Sequence, residues 1–285
     1  RWHFEGRGHR GRCVAAKSDF TVRFWGVRGS ISCPGHDTVR YGGNTSCLEV
    51  RCGDHLIIFD GGTGLREMGK TLAKNEAVNA DIFFSHAHLD HIIGIPFFST
   101  IFDPKNTFRL WAGHLLPRHT LHEVMRTMMT SPLFPVPPDI FSKKVSYHDF
   151  VAGETLTPFE GATMKTVALN HPNGATGYRL EYAGKVFCYV TDTEHASDGL
   201  DENIVDLVRG ADIMVYDCTY TPEEYPRYVG WGHSTWDEGG KICQAAGVKT
   251  LVIFHHDPGH DDVFMDGLAK TALEKYPNSI VAREG

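Results

Sequence analysis

The chain has 285 residues, of which 41% are hydrophobic and 22% charged, which fits one large globular domain or two small ones. Its formal net charge of −7 lacks the basic excess of a dedicated nucleic-acid-binding protein, and no apolar run approaches the roughly 20 residues that span a bilayer. The seven cysteines are odd in number and irregularly spaced, without a CxxC pair, so we expect a cytoplasmic protein without a disulfide framework.

Residues 1–19 differ from the rest of the chain. They are rich in Arg and Gly, show no hydrophobic period and lack the apolar centre of a secretory signal. We expect a disordered or non-native N-terminal extension here, with an organelle transit segment as the alternative. Residues 20–285 are then expected to form a single domain.

Short apolar runs ended by glycine turns predict the first strands, and a longer run predicts a helix. The predicted strands are 20–27, 45–52, 55–62 and 80–88, and the predicted helix is 65–74. The segment near 95–150 is instead rich in Pro, Phe and Met, with a helix predicted at 115–129 and irregular structure after it. A long irregular connection is typical of a lid, so we predict a lid-like insertion, with a linker that has no function as the alternative.

The alternation of strands and helices returns after residue 160. Strands are predicted at 162–170, 175–184, 185–193, 211–219 and 249–257, and helices at 201–210, 235–247 and 261–276. Two strand-rich halves that each carry helices predict an α/β fold, in which two sheets form a sandwich with helices outside.

The strongest chemical signal is SHAHLDH at 85–91, directly after an apolar strand. His86 and His88 are two residues apart, so on an extended segment they point the same way. Asp90 and His91 follow at the expected start of a helix. Imidazoles and carboxylates grouped in this way, without a thiolate, suit Zn²⁺, Mn²⁺ or Fe²⁺. The sequence therefore predicts a metal site here.

Other strand ends supply further ligands of the same kind. They are His171 in LNHP, Asp192 in VTDT, and His255 or His256 in IFHHD. Each of them directly follows an apolar strand, so we expect all of them at one edge of the sandwich.

This pattern, His-x-His-x-Asp-His followed by His, Asp and His, resembles the metallo-β-lactamase superfamily from about residue 20 onwards. The resemblance implies an αββα sandwich of two mixed sheets with two divalent metal ions at the shared sheet edge. Zn or Mn is the expected metal, and Fe is the alternative. By the same resemblance, His86, His88 and His171 would hold the first ion, Asp90, His91 and His255 the second, and Asp192 would bridge them.

We expect His255, and not His256, to be the metal ligand. The chain is similar to a phosphodiesterase branch of this superfamily, in which the ligand is the first histidine after the last apolar strand. Adjacent strand residues also face opposite ways, so only one of the two should reach the metals. Asp60, which ends another predicted strand, is expected beside a metal-binding histidine.

The motif GWGHSTW at 230–236 resembles the phosphodiesterase branch, which includes the tRNA 3′-processing ribonuclease and the cyclic-nucleotide phosphodiesterases. This resemblance implies that His233 touches the phosphate or protonates the leaving oxygen, with Asp217 orienting it. A carboxylate raises imidazole basicity and fixes its tautomer, which suits such a pair. The alternative is a loop that only caps the next helix, for which Ser234 and Thr235 are the better residues.

Substrate contacts are expected from two motifs that match this branch. RYGGNTSCLEV at 40–50 offers Asn44 and Ser46, and the His-Ser-Thr motif offers Ser234 and Thr235. A tight turn in which Asn44 satisfies its own backbone is the alternative for the first motif.

We therefore expect a phosphodiester hydrolase in which a metal-bridging hydroxide attacks phosphorus and Asp90, His233 and Asp217 assist. The acidic charge and the apolar middle segment favour a small substrate, with a 3′,5′-cyclic nucleotide as the first choice. The alternatives are an RNA 3′-end-processing nuclease of the same branch and a non-catalytic metal- or nucleotide-binding sensor. The sequence leaves the oligomeric state open, a homodimer included.

Overall fold

The computed structural model describes residues 20–72 and 76–285, so the expectation for residues 1–19 lies outside the described residues. The described chain forms two mixed β-sheets that pack face to face, with helices on the outer sides. The predicted α/β sandwich is therefore confirmed.

The first sheet has six strands that are adjacent in chain order. They are β1 Phe20–Gly26, β2 Cys47–Cys52, β3 His55–Phe59, β4 Asn79–Phe84, β5 Thr107–Ala112 and β6 Val145–Asp149. The pairs β1–β2 and β2–β3 are antiparallel, whereas β3 to β6 run parallel to one another.

The second sheet has seven strands. They are β7 Thr155–Leu156, β8 Ala162–Leu169, β9 Ala175–Tyr182, β10 Lys185–Val190, β11 Ile213–Asp217, β12 Leu251–Phe254 and β13 Ser279–Val281, and their spatial order reverses their chain order. The strands β10 to β13 are parallel, and β7 to β10 pair antiparallel. Each sheet thus joins an antiparallel part to a parallel part.

Six α-helices complete the fold of the described residues. They are α1 Gly64–Gly69, α2 Leu89–Ile92, α3 Leu121–Met128, α4 Glu202–Val208, α5 Trp236–Ala246 and α6 Asp262–Lys275, and short 3₁₀ turns lie at Ile95–Phe97, Ser99–Phe102, Pro138–Ile140 and Tyr225–Arg227. Apolar residues of α1 and α3 pack on the outer face of the first sheet, and those of α4, α5 and α6 pack on the second. None of these helices combines the length and apolar character that a bilayer crossing requires.

The segment near 95–150 contains regular structure that the sequence analysis missed. Its strands β5 and β6 were not predicted, and they add to the parallel part of the first sheet. The helix α3 lies between them along the chain, within the range predicted for a helix at 115–129. Less of this segment is irregular than its composition predicts, because its many Pro and Phe residues obscure two short strands. A lid stays a prediction only for the connection between β5 and β6.

The main core lies between the two sheets and is rich in aromatic side chains. Phe59 of β3 is fully buried at its centre. The Phe59 ring centroid is 5.6 Å from those of Tyr178 and Phe187 and 5.3 Å from that of Tyr189, all three from the opposite sheet. This packing fixes the spacing of the two sheets and of the strand ends at their common edge.

The chain segments that follow five parallel strands meet at that edge. They follow β3 and β4 in the first sheet and β10, β11 and β12 in the second. In open α/β sheets, ligands bind beyond the carboxyl ends of the strands. The edge is therefore the place where the fold offers a functional site.

We expect Phe59→Ala to lower the free energy of unfolding by about 3–5 kcal/mol, because it removes a fully buried ring and leaves a cavity between the sheets. Urea unfolding followed by circular dichroism would measure the change. The control is Leu273→Ala in α6, whose side chain is 53% exposed, and it should stay within about 0.5 kcal/mol of the parent. Equal losses in both variants would contradict this account of the core.

Candidate metal centre

Three residues one or two positions beyond strand ends adopt left-handed backbone conformations. Asp60, Asp192 and His255 have φ angles of 59°, 56° and 62°, and all three are buried. Few residues other than glycine adopt positive φ, and such conformations cluster at functional sites, where the surrounding structure holds them in place. The sharp turns direct these side chains into the edge between the sheets.

The first group of polar side chains contains His86, His88 and His171, with one oxygen of Asp192. Nε2 of His171 lies 3.1 Å from Nδ1 of His88. Oδ1 of Asp192 lies 3.7 Å from Nε2 of His86 and 3.8 Å from Nε2 of His171. The ligand atoms of the three histidines are close enough together to hold one metal ion.

The second group contains Asp90, His91 and His255, with the other oxygen of Asp192. Oδ2 of Asp192 lies 3.3 Å from Nε2 of both His91 and His255. Oδ2 of Asp90 lies 3.1 Å and 3.4 Å from the same two nitrogens. Asp192 therefore faces both groups, with a different carboxylate oxygen toward each.

The outer nitrogens of these imidazoles contact acceptors, which fixes their tautomers. Nδ1 of His171 donates to the carbonyl oxygen of Gly232 at 2.7 Å, and Nδ1 of His91 contacts the Asp60 carboxylate at 2.8 Å. Because Nδ1 carries the proton in a neutral ring of this kind, Nε2 keeps its lone pair. Both Nε2 atoms therefore present lone pairs to the centre of the site.

His86 and His255 are oriented through hydroxyl groups. The Ser85 hydroxyl donates to Asp60 at 2.8 Å and lies 3.1 Å from Nδ1 of His86. The Thr219 hydroxyl likewise donates to Asp217 at 2.7 Å and lies 2.9 Å from Nδ1 of His255. Each hydroxyl uses its proton on a carboxylate and can accept from the imidazole, so Nε2 is again the unprotonated atom.

The donor set fits divalent cations. Carboxylate oxygens and imidazole lone pairs face one another at distances that repel unless positive charge lies between them. Nε2 of His86 is buried and has no hydrogen-bond partner among the described residues. Burial also lowers the pKa of His86, which favours the neutral, lone-pair form. Hard and borderline ligands without sulfur suit Zn²⁺, Mn²⁺ or Fe²⁺.

Asp60 anchors the outer layer of the site. Its carboxylate accepts from the hydroxyl of Tyr189 at 2.8 Å and from the backbone amide of Ser85 at 2.7 Å, in addition to the contacts with His91 and the Ser85 hydroxyl. Asp60 follows β3, and Tyr189 belongs to β10, so these bonds connect the two sheets. The placement of Asp60 beside His91 agrees with the expectation from its strand-end position.

The loop after β1 contributes contacts that the sequence analysis missed. The backbone amide of Ser30 donates to Oδ2 of Asp90 at 2.8 Å. Gly29 lies so close to His255 that a Cβ there would be 2.4 Å from two atoms of the ring. Arg28 is fully buried and fixes the loop by donating to the carbonyl oxygens of Gly42 and His260. The only sequence signal for this loop was Gly29 in VRGS. No local pattern indicates that Gly29 contacts His255, which lies more than 200 residues later in the chain.

His256 faces away from the centre. Its Nε2 lies 2.8 Å from the carbonyl oxygen of Ala282, and burial lowers the pKa of His256 to about 3. The structure thus brings His255, and not His256, to the ligand groups. The metal-binding role of His255 and of the six other expected ligands stays a prediction.

His233 and Asp217 form a buried pair beside both ligand groups. Nδ1 of His233 lies 2.9 Å from Oδ2 of Asp217, so aspartate is long enough to reach this imidazole. The His233 ring centroid is 5.0 Å from that of His255 and 5.3 Å from that of His171. Burial opposes a charge on His233, but the Asp217 carboxylate and its hydrogen bond outweigh burial and raise the pKa of His233 to about 9. The pair therefore favours a protonated imidazole near neutral pH.

Glu194 holds the loop that carries His233. Its carboxylate accepts from the backbone amides of Gly230 and Gly232 at 2.8 Å. The carbonyl oxygen of Gly232 in turn accepts from His171, so the loop couples His233 to the first ligand group. Glu194 is not among the residues predicted for the site, because a single acidic residue after VTDT has no distinguishing local pattern.

Three of the four expected substrate-binding side chains make other contacts, and the fourth is buried. Asn44 donates to Glu284 at 3.0 Å and accepts from Thr63, and Ser46 is fully buried. The Ser234 hydroxyl contacts Tyr216 and His195, and the Thr235 hydroxyl accepts from the amide of Glu238 as the N-cap of α5. These contacts assign structural roles to Asn44, Ser234 and Thr235, so substrate binding by any of the four stays a prediction.

Comparisons with known proteins point to one family and one fold. The family model described as "Beta-lactamase superfamily domain" matches residues 55–256. A protein named Ribonuclease Z from Myxococcus xanthus is 24% identical over 268 residues, which cover 76% of this chain and 83% of that protein.

Two solved structures resemble the whole described sandwich. The metallo-β-lactamase fold protein YhfI from Bacillus subtilis matches with a TM-score of 0.70 and 20% identity, over 93% of this chain and 96% of that chain. The short form of human tRNase Z matches with a TM-score of 0.64 and 18% identity, over 92% of this chain and 96% of that chain. These likenesses show the metallo-β-lactamase fold.

We expect Gly29→Ala to weaken divalent-ion binding by roughly 10–100-fold, the usual scale for disturbing the surroundings of a metal ligand. The added Cβ would displace the His255 ring. Competition with a chromogenic chelator would measure the affinity for Zn²⁺ and Mn²⁺. The control is Gly267→Ala in α6, where a Cβ meets open space. Unchanged metal affinity in Gly29→Ala would remove His255 from the proposed ligands.

Proposed function

This chain belongs to the beta-lactamase superfamily and is a metal-dependent hydrolase, and on that basis we propose that it hydrolyses phosphodiesters. The observation that carries the proposal is the buried pair of His233 and Asp217 beside two groups of metal-binding side chains. Hydrolysis of a phosphodiester needs a group that protonates the departing oxygen, and a carboxylate-oriented imidazole is suited to this step.

We assign one divalent cation to His86, His88 and His171, a second to Asp90, His91 and His255, and contact with both to Asp192. The separate directions of the two Asp192 oxygens support the assignment of two ions. When bound, such cations would supply Lewis-acid stabilisation of the charge on the phosphate oxygens during an in-line displacement.

The protein side chains position and move protons around the phosphate. Asp217 accepts a hydrogen bond from Nδ1–H of His233. This bond orients the protonated ring so that its Nε2–H can donate a proton to the leaving oxygen. Oδ2 of Asp90 accepts from the Ser30 amide, and we assign the same carboxylate the role of accepting a proton from the attacking water. The two groups thus act as acid and base in one hydrolysis.

A small substrate such as a 3′,5′-cyclic nucleotide is supported by the form of the cleft beside His86 and His88. The cleft has a volume of about 300 Å³ and is bounded by Leu115 and Val124 from the connection after β5. That volume lies at the lower end of the range for small-molecule sites. A cleft of this volume favours a ligand of nucleotide size.

RNA processing is the second candidate function. It is supported by the relative named Ribonuclease Z and by the fold shared with human tRNase Z. The net charge of −7 and the small volume of the cleft count against a large RNA as the substrate. A binding protein without catalysis is disfavoured because every expected ligand side chain lies in the two groups.

A substrate panel tests the proposal. The protein is loaded with Zn²⁺ or Mn²⁺ and incubated with bis-p-nitrophenyl phosphate, cyclic mono- and dinucleotides, and a precursor tRNA. Metal-dependent turnover of the small substrates that Asp90→Asn abolishes would support the proposal. Cleavage of the tRNA alone would make RNA processing the function, and ligand binding without any product would leave a sensor.

We expect His233→Ala to lower kcat by roughly 10²-fold, because one general acid contributes on this scale. Bound metal should stay at the parental level, since His233 is not among the assigned ligands. Steady-state kinetics and elemental analysis of the same samples would measure both quantities.

The matched control is His36→Ala, because His36 is exposed and its side chain makes no hydrogen bond or ion pair within the described chain. It should retain the parental kcat. Loss of metal from His233→Ala would instead identify His233 as a ligand, a role that its proximity to Asp192 and His171 also permits.

A further inference from the structure

The cleft beside the candidate metal centre has one wall that carries His114, Arg118 and His119. Its lining includes His86 and His88, whereas Asp192 and His233 do not line it. The segment 113–119, which follows β5, supplies most of the opposite wall. The cleft is therefore a neighbouring space into which a substrate can extend.

His114 lies in this wall and is unsatisfied. Both of its ring nitrogens are buried, and neither has a hydrogen-bond partner among the described residues. The ring centroid lies 6.4 Å from that of His86. A buried imidazole without partners is costly, and a neutral ring offers one donor and one acceptor. An oxygen-bearing ligand in the cleft would satisfy it.

The charge around the cleft favours an anion. Arg118 and His119 line it and are exposed. Within the described part of the chain, the Arg118 guanidinium makes no ion pair or hydrogen bond, and no carboxylate is among the residues that line the cleft. A guanidinium matches the geometry of a phosphate and can bind it in a bidentate manner.

We propose that His114, Arg118 and His119 form a subsite for a second phosphate of the substrate, distinct from the phosphate that is cleaved. This proposal rests on the proposed phosphodiesterase function and specifies its substrate class. Among small phosphodiesters, the subsite then favours nucleotides with at least two phosphates, such as a cyclic dinucleotide or a linear dinucleotide with a terminal phosphate. It favours these over a cyclic mononucleotide, whose only phosphate would be the one cleaved.

Matched dinucleotides test the subsite. The metal-loaded enzyme is assayed with ApA, its 5′-phosphorylated form and its 3′-phosphorylated form, which share the same scissile bond. We expect kcat/KM to be about tenfold higher for one of the phosphorylated forms, through KM, as one charge-assisted hydrogen bond allows. Arg118→Ala should remove this advantage, and Arg118→Lys should keep part of it.

Two controls separate the subsite from general effects. Arg126→Ala removes an exposed arginine of α3 that does not line the cleft, and it should keep the preference for the phosphorylated form. Bis-p-nitrophenyl phosphate carries one phosphate, so Arg118→Ala should change its kcat/KM by less than about twofold. Equal losses on all substrates, or no loss on any, would overturn the proposal.

A binding measurement keeps the test independent of turnover. Titration calorimetry would compare adenosine 3′,5′-bisphosphate with adenosine 5′-monophosphate on the metal-loaded protein. Wild type should bind the bisphosphate about tenfold more tightly, and Arg118→Ala should bind both equally. Tight bisphosphate binding that depends on Arg118, without hydrolysis of any diester, would refute the proposed function and retain the subsite. Hydrolysis of diesters, together with bisphosphate binding that does not depend on Arg118, would retain the proposed function and refute the subsite.

Discussion

The site depends on one constraint, the gathering of lone pairs at the edge where two sheets meet. Parallel strands of both sheets end there, and the following turns direct carboxylates and imidazoles to one place. These groups repel one another unless positive charge lies among them. The fold therefore prepares a place for cations through its topology, and the left-handed turns at Asp60, Asp192 and His255 are the local cost of that arrangement.

The residues that surround the two ligand groups determine which imidazole atoms face the centre of the site. Asp60 and Asp217 are two buried carboxylates that act through neighbouring hydroxyls as well as directly. Asp60 orients His91 and, through Ser85, His86. Asp217 orients His233 and, through Thr219, His255. Each carboxylate therefore orients two imidazoles, and Asp217 connects His233 to His255, one of the proposed metal ligands.

The hydrogen bonds of Asp60 also connect the candidate metal centre to the core between the sheets. The Tyr189 hydroxyl reaches Asp60 from the opposite sheet, and its ring packs against Phe59 in the core between the sheets. The spacing of the sheets therefore sets the positions of the site carboxylates. The cleft after β5 differs in this respect, because both ring nitrogens of His114 lack hydrogen-bond partners among the described residues and the exposed Arg118 lies beside it, which suits an anionic ligand.

Sequence alone determined the sandwich, most strand positions, the ligand-type residues at strand ends and the family resemblance. These are local properties, since apolar runs mark strands and clustered His and Asp mark metal chemistry. It missed β5 and β6, whose short runs lie among prolines, and it did not show the hydrogen bonds that Asn44 makes with Glu284 and Ser234 makes with Tyr216.

Only the tertiary structure decided which distant groups meet. Gly29 packs against His255, Ser30 contacts Asp90, and Asp217 reaches His233. It also placed His114 beside His86. Such contacts depend on how two sheets stack and how loops cross their edge, and no periodicity or spacing within a segment records that geometry.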